Sequence, residues 1–154
     1  MNHLVTVFIH RARCINGMVE RYLAPLIDLA ARIYIGRVFF LSGLTKLNDW
    51  DTTIALFTDE YHVPVLPPAL AAVMGTAGEL LMPVLLVVGI GGRFGALGLS
   101  AVNAMAVVSY YHVLSQNDAL LTHHLLWGII LALLFAHGPG KLSVDTWLAK
   151  RFAN

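Results

Sequence analysis

Five strongly polar residues interrupt otherwise apolar stretches of this 154-residue chain: Asp28, Arg32, Arg37, Glu79 and Asn103. An arginine at the centre of a bilayer costs on the order of 2.5 to 3.5 kcal/mol on insertion scales, so such residues face protein or a cavity and are functional candidates by default. Arg32 stands nine residues into an apolar segment at 23–44, Glu79 ten into one at 69–90, and Asn103 nine into one at 94–113. At 1.5 Å rise per residue each would lie ~13 to 15 Å from the membrane edge where its segment starts. An Arg32 to Glu79 pair, assisted by Asn103, is therefore expected at the midplane. It would hold the polar head of an amphiphile or relay a proton, or else act purely as an interhelical clamp. Arg37 falls ~7 Å nearer the outer face, where a ligand carbonyl, a lipid head or Tyr110 could meet it. Asp28 and Arg32 are four apart and share a helix face, so an intrahelical pair competes and would leave Glu79 free and protonated.

The chain has seven histidines, of which His112, His123 and His124 fall at the outer ends of the third and fourth apolar segments. Adjacent histidines point about 100° apart on a helix, and no thiolate or carboxylate lies near them in sequence. Interfacial histidines titrating with solvent are expected, with a metal site at these three as the alternative. Met74, Met82 and Met105 lie among Leu and Val and read as core filler rather than a copper path. Ala71, Gly75 and Glu79 share a spacing of four, as do Gly91 and Gly95 with Gly98 near one turn on, which marks faces for close helix approach. The glycines from Gly89 to Gly92, ending at Arg93, lack the Lys-Ser/Thr of a phosphate loop and read as a tight turn.

The elements that must position these residues are membrane helices. The chain is 58% hydrophobic and 12% charged, with a mean hydropathy of +0.72, whereas a soluble domain carries about 25% charged residues. Four spans are expected at 23–44, 69–90, 94–113 and 120–136, separated by Pro64, Pro67 and Pro68, by the glycine turn, by 115–118 and by Gly138-Pro139-Gly140. The fold class is all-α: an integral membrane four-helix transmembrane bundle. Arg11, Arg13, Arg21, Arg93, Lys141, Lys150 and Arg151 flank the spans on one side, against Lys46 on the other. By the positive-inside rule both termini are expected in the cytoplasm.

Residues 1–22 read as a cytoplasmic segment whose Leu4, Phe8, Ile15, Val19 and Tyr22 make an amphipathic interfacial helix, and 138–154 as a cytoplasmic tail with a similar helix. The long outer loop, 45–68, reads as a short helix at headgroup level. The apolar run 4–9 precedes His10, Arg11 and Arg13, the reverse of a signal peptide, so the N-terminus is expected to be retained. Ten scattered basic residues give no track for a nucleic acid. Cys14 alone excludes an internal disulfide or dithiol relay.

The run from Arg32 through Gly36, Phe39, Phe40 and Gly43-x-x-Lys46-Leu47 resembles the opening signature of DoxX-type membrane proteins. Gly78-Glu79-Leu80 with Pro83 and Gly89 resembles their second helix, and His137-Gly-Pro-Gly-Lys-Leu-Ser-Val-Asp145 their closing motif, so the resemblance covers most of 30–146. Arg32, Lys46 and Glu79 match the family's polar signature, whereas Arg37 and the His123-His124 pair fall outside it. The resemblance implies a four-helix membrane bundle associated with redox or sulfur systems. The expected function is a bacterial inner-membrane protein that binds a quinone or similar small amphiphile around Arg32, Arg37, Glu79 and Asn103. It would be the membrane subunit of a quinone-linked oxidoreductase, with the lipid bilayer and a protein partner around it, a homo-oligomer being one arrangement. No covalently bound cofactor is expected; a flavin, haem or metal would sit on the partner. The alternatives are a non-catalytic anchor or assembly subunit and a small copper-related carrier using His112, His123 and His124.

Overall fold

The protein, described here over residues 2–152 from a computed structural model, is built of helices, with no strand among those residues. Helix α1 (Asn2–Met18) passes through a π-helical turn (Val19–Leu23) into α2 (Ala24–Asn48), and α3 (Trp50–Asp59) follows after one residue. Then come α4 (Pro68–Val88), α5 (Phe94–Ser109), the single turn α6 (Tyr111–Leu114), α7 (Asp118–His137) and α8 (Val144–Phe152). Local chemistry explains several boundaries. Asp49 caps α3 by accepting from the Thr52 N–H at 3.0 Å, and Asn117 caps α7 by accepting from the N–H groups of Ala119 and Leu120. Pro68 opens α4, where a missing N–H is harmless, and Gly89 closes it in the left-handed conformation at φ 71°.

α4 and α7 are each long and apolar enough to cross a membrane. The apolar helix expected at 94–113 is shorter than foreseen: it stops at Ser109, Tyr110 leaves helical geometry, and α6 resumes as one turn. α2 is longer than the segment expected at 23–44. It continues from α1 without an exposed break, so the apolar boundary at Leu23 does not mark a helix end.

α2 packs on α4, α4 on α5, α5 on α7, and α7 back on α2. At their centre Ile35, Phe39, Leu86, Ala96, Leu99, Leu131 and Leu134 are buried. The outward faces of the same helices are greasy: Leu81, Val84, Leu125 and Ile129 are about half exposed or more. α3 folds back over α4 through Phe57 on Ala71 and Ala72.

Glycines set how closely the helices meet. A Cβ on Gly36 would lie 2.6 Å from Val87, and one on Gly43 2.9 Å from Leu80, so α2 and α4 run antiparallel with these glycines as the contact points. A Cβ on Gly95 would lie 2.7 Å from the backbone nitrogen of Leu86, an obstacle that no rotamer can relieve. Gly95→Ala is expected to force α4 and α5 apart and lower stability by about 1 to 3 kcal/mol. Denaturant titration of the purified protein in mixed micelles checks this, and an unchanged midpoint would contradict the packing.

Where α4 and α7 end, the 138–145 segment is bolted onto the bundle. Asp145 accepts from the Gly91 N–H at 3.2 Å and from the Gly92 N–H, both glycines having positive φ, and its own N–H donates to the Gly89 carbonyl at 3.1 Å. Successive N–H groups in such a turn form an anion-holding nest, so the glycine turn holds a carboxylate of this chain. Arg93 donates through Nε to the Phe135 carbonyl at 2.6 Å and through Nη2 to that of Ala136 at 3.2 Å, covering the C-terminus of α7. Asp145→Ala is expected to release α8 and cost about 1 to 3 kcal/mol. Faster amide exchange at Gly91, Gly92 and the first turn of α8 is the readout.

Candidate functional site

α2, α4, α5 and α7 line a partly open cavity of about 640 Å³, to which α3, the 61–66 segment and α6 also contribute. Its walls are mainly apolar and aromatic, with Phe39, Phe57, Tyr61, Tyr110 and Trp127 among them. The rings support one another edge to face: Phe57 on Tyr61 and Tyr61 on Tyr110, each at 4.9 Å, and Phe39 on Trp127 at 5.8 Å. Tyr110 donates its hydroxyl to Glu60 at 3.1 Å. Burial pushes the Tyr61 phenol above its ordinary pKa, with Tyr110, Glu60 and Glu79 adding to the shift, so it faces the cavity neutral.

One charged cluster stands in this wall. Lys46 Nζ donates to Glu79 Oε2 at 2.6 Å and to Ser42 Oγ at 3.0 Å, and Ser42 Oγ donates to Glu79 Oε1 at 3.3 Å. The side chains of Lys46 and Glu79 are 18% and 11% exposed. The pair is held by α2 and α4: Ser42 and Lys46 are four apart on one face, and Gly43 between them lets Glu79 approach, since a Cβ there would lie 3.1 Å from the Glu79 Cβ.

The expected Arg32 to Glu79 pair is not formed. In the antiparallel register Gly43 faces Leu80 and Gly36 faces Val87, so Arg32 comes opposite Gly89, about ten residues and ~15 Å along α4 from Glu79. A shared depth for Arg32 and Glu79 requires α2 and α4 to begin at opposite membrane edges with Leu23 at one of them. In fact the first turns of α2 extend past the end of α4. Arg32 is 2% exposed there, donating through Nη2 to the Leu142 carbonyl at 2.6 Å and through Nε to the Asp28 carbonyl at 3.4 Å. The competing Asp28 to Arg32 carboxylate pair is not made either, the bond being to the Asp28 backbone.

Arg37 is exposed and makes no ion pair or side-chain hydrogen bond among the described residues. It does not meet Tyr110. Asn103 is buried behind the cavity wall: its Nδ2 donates to the His124 carbonyl at 2.9 Å, and its Oδ1 lies 2.9 Å from His124 Nδ1. The structure thus brings Glu79 and Lys46 together, reaches Asn103 through His124, and leaves Arg32 and Arg37 away from the cavity.

The histidine trio is dispersed among different neighbours. His112 meets His62 at 4.9 Å and Tyr110 at 5.5 Å. His123 stacks on Trp127 and His124 bonds Asn103. Among the described residues no group of three His, Cys, Asp or Glu is placed to hold a metal. Sequence reasoning missed two features, Lys46 as the ionic partner of Glu79 and His124 as a wall residue. The first had a signal in the Ser42 and Lys46 spacing and in the signature lysine; the second had none, because it depends on how α7 is rotated.

A family model for DoxX matches residues 27–112, which run from α2 through α5 into α6. The chain belongs to the DoxX family. In this DoxX membrane protein the match includes Ser42, Lys46, Glu79 and Asn103 but ends before α7, so the His124 wall and the 137–145 closing segment lie beyond it. A Haemophilus influenzae protein, described as an uncharacterized protein, is 31% identical over 131 residues, which cover 79% of this chain and 83% of that protein. No solved structure matches the chain.

Proposed function

We propose that this DoxX protein is a four-span protein of a bacterial inner membrane that binds a quinone or similar small amphiphile in the cavity between α2, α4, α5 and α7. The observation that carries this reading is an apolar, aromatic-walled cavity of about 640 Å³ with a partly buried ion pair in its wall. Small-ligand sites have this character: hydrophobic surface for the body of the ligand and a few placed polar groups for its head. A –NH₃⁺ group has three donors, and Lys46 commits two of them to Ser42 and Glu79, leaving one for a ligand carbonyl.

α2, α4, α5 and α7 are the four spans, α5 being brought to length by α6 and the bend at Tyr110. α1 and α8 lie in the interface, with Phe8, Ile15, Trp147 and Phe152 exposed for lipid. Arg93 donates to the end of α7 and Lys141 to the Glu20 carbonyl, and basic residues at this end of the bundle support a cytoplasmic placement of α1 and α8. The ligand exchanges rather than being covalently held. Electrons reach it from a partner protein, which makes this chain the membrane subunit of a redox or sulfur-metabolism complex.

The test is a thermal-shift titration of the detergent-purified protein with a short-tail benzoquinone, beside the combined Lys46→Met and Glu79→Leu variant. Saturable stabilisation that is absent from the variant supports the reading. Absence of any shift in the unaltered protein would favour an anchor subunit whose polar groups only hold helices together.

A further inference from the structure

The α7 wall of the cavity carries a second polar group, His124, and its protonation can be read from its partners. The backbone carbonyl of His124 has no proton to give, so the Asn103 atom 2.9 Å from it is the amide nitrogen, which fixes the orientation of that side chain. The Asn103 oxygen then faces His124 Nδ1 at 2.9 Å and can only accept, so Nδ1 carries the proton. In the neutral ring Nε2 is left as a bare acceptor. His124 lines the cavity and Asn103 does not, so Nε2, the ring nitrogen that Asn103 leaves unengaged, is the one offered to a cavity ligand. Nε2 makes no hydrogen bond among the described residues. Trp127 holds the ring edge to face at 4.9 Å. Gly128 lies alongside Asn103, where a Cβ would make ordinary van der Waals contact with Nδ2 at 3.5 Å.

The cavity therefore has two unlike poles, a donor at Lys46 between α2 and α4 and an acceptor at His124 on α7. A ligand that satisfies both presents an acceptor at one end of a flat apolar body and a hydroxyl donor at the other. We propose that His124, positioned by Asn103, is the hydroxyl-recognising group of this cavity and makes the protein selective for the reduced, hydroxyl-bearing quinol over the quinone. The inference rests on the quinone reading above and adds a preference that the reading does not require. A quinone carbonyl would set its oxygen against the Nε2 lone pair, whereas a quinol hydroxyl donates to Nε2 and its other oxygen accepts from Lys46. One hydrogen bond gained or left unmade corresponds to roughly tenfold in affinity.

Anaerobic calorimetric titration of the full chain with a short-tail benzoquinone and with its two-electron-reduced quinol tests this. The quinol is expected to bind roughly tenfold tighter. In His124→Phe the two forms should bind alike, through loss of quinol affinity with quinone affinity kept, and Asn103→Leu should narrow the ratio. Lost folding would weaken both forms together and leave the ratio alone, so the ratio separates recognition from structure. Equal binding of the two forms by the unaltered protein, abolished by the Lys46→Met and Glu79→Leu pair, would overturn the selectivity and leave the quinone reading standing. If neither form binds, both fall. Nitrogen-15 histidine spectra of the unaltered protein give a check that needs no variant: the unprotonated Nε2 signal should move on quinol addition, and an unmoved signal overturns the proposal.

Discussion

Lys46→Met alone is expected to destabilise the protein by about 2 to 4 kcal/mol, and adding Glu79→Leu is expected to recover most of that loss. Removing one member of a buried ion pair strands the other charge, at about 3 to 5 kcal/mol for a fully buried pair. The lower figure applies because the two side chains keep 18% and 11% of their exposure and some screening remains. Ser42 would still donate to Glu79 in the single variant, but one neutral hydroxyl does not replace an ammonium at 2.6 Å. The double variant trades both charges for apolar groups in a wall that is already apolar, a change often close to neutral or even stabilising. Unfolding midpoints of the two singles and the double, measured in one detergent, make the test. If the double falls as far as the sum of the singles, the pair is not the coupled unit described here. A double variant that folds well yet binds no quinone would separate what the pair does for the ligand from what it does for the fold.

Arg32→Met is expected to cost about 1.5 to 3 kcal/mol, the range for hydrogen bonds to a charged group, and to leave the proposed quinone binding unchanged. Arg32 is buried beside Gly89 and Gly140, where α4 and α7 end, and its Nη2 is the donor that satisfies the Leu142 carbonyl at 2.6 Å. Its guanidinium lies against Gly89 and Gly140, where Cβ atoms would come 2.9 Å from Nη1 and 3.7 Å from Nη2, and both glycines have positive φ. Methionine keeps much of the side chain's volume and removes the donor, so the loss should be concentrated in the docking of 138–152. Hydrogen exchange is expected to quicken there and to remain slow in α4 and α5. Loss of ligand binding with exchange unchanged would return Arg32 to the binding site and contradict its placement.

The two variants bear on the same error of inference. Arg32, Lys46 and Glu79 all stand out in the sequence as charges in apolar surroundings, and membrane energetics require each to be compensated. Partner choice, however, depends on the offset between α2 and α4, which Gly36 and Gly43 set through contacts with Val87 and Leu80. An estimate of depth from the ends of hydrophobic segments fails for α2, since a helix that continues into α1 has no end at its apolar boundary. Arg37 shows the same limit, because its helix turns it outward, away from the cavity.

Other features were open to a reader of the sequence because they depend on local chemistry. The glycine turn at 89–92, the short helix in the 45–68 loop, the small-residue faces at Gly95 and Gly98, and Met82 as core filler all follow from neighbouring residues. The all-helical class and the apolar helices near 69–90 and 120–136 follow from composition and run length, for which the number of consecutive apolar residues is the physical criterion. Membership of the DoxX family follows from the order of short motifs.

Only the tertiary structure decided which charges meet, that Asn103 fixes the ring of His124, and that a cavity opens between the two polar groups. Backbone hydrogen bonding and burial of apolar length are satisfied within a helix and so are written along the chain. Ion pairing and ring orientation are satisfied between helices, where a rotation of 100° or a slide of one turn changes every partner, as the helix repeat of about 100° and 1.5 Å per residue dictates.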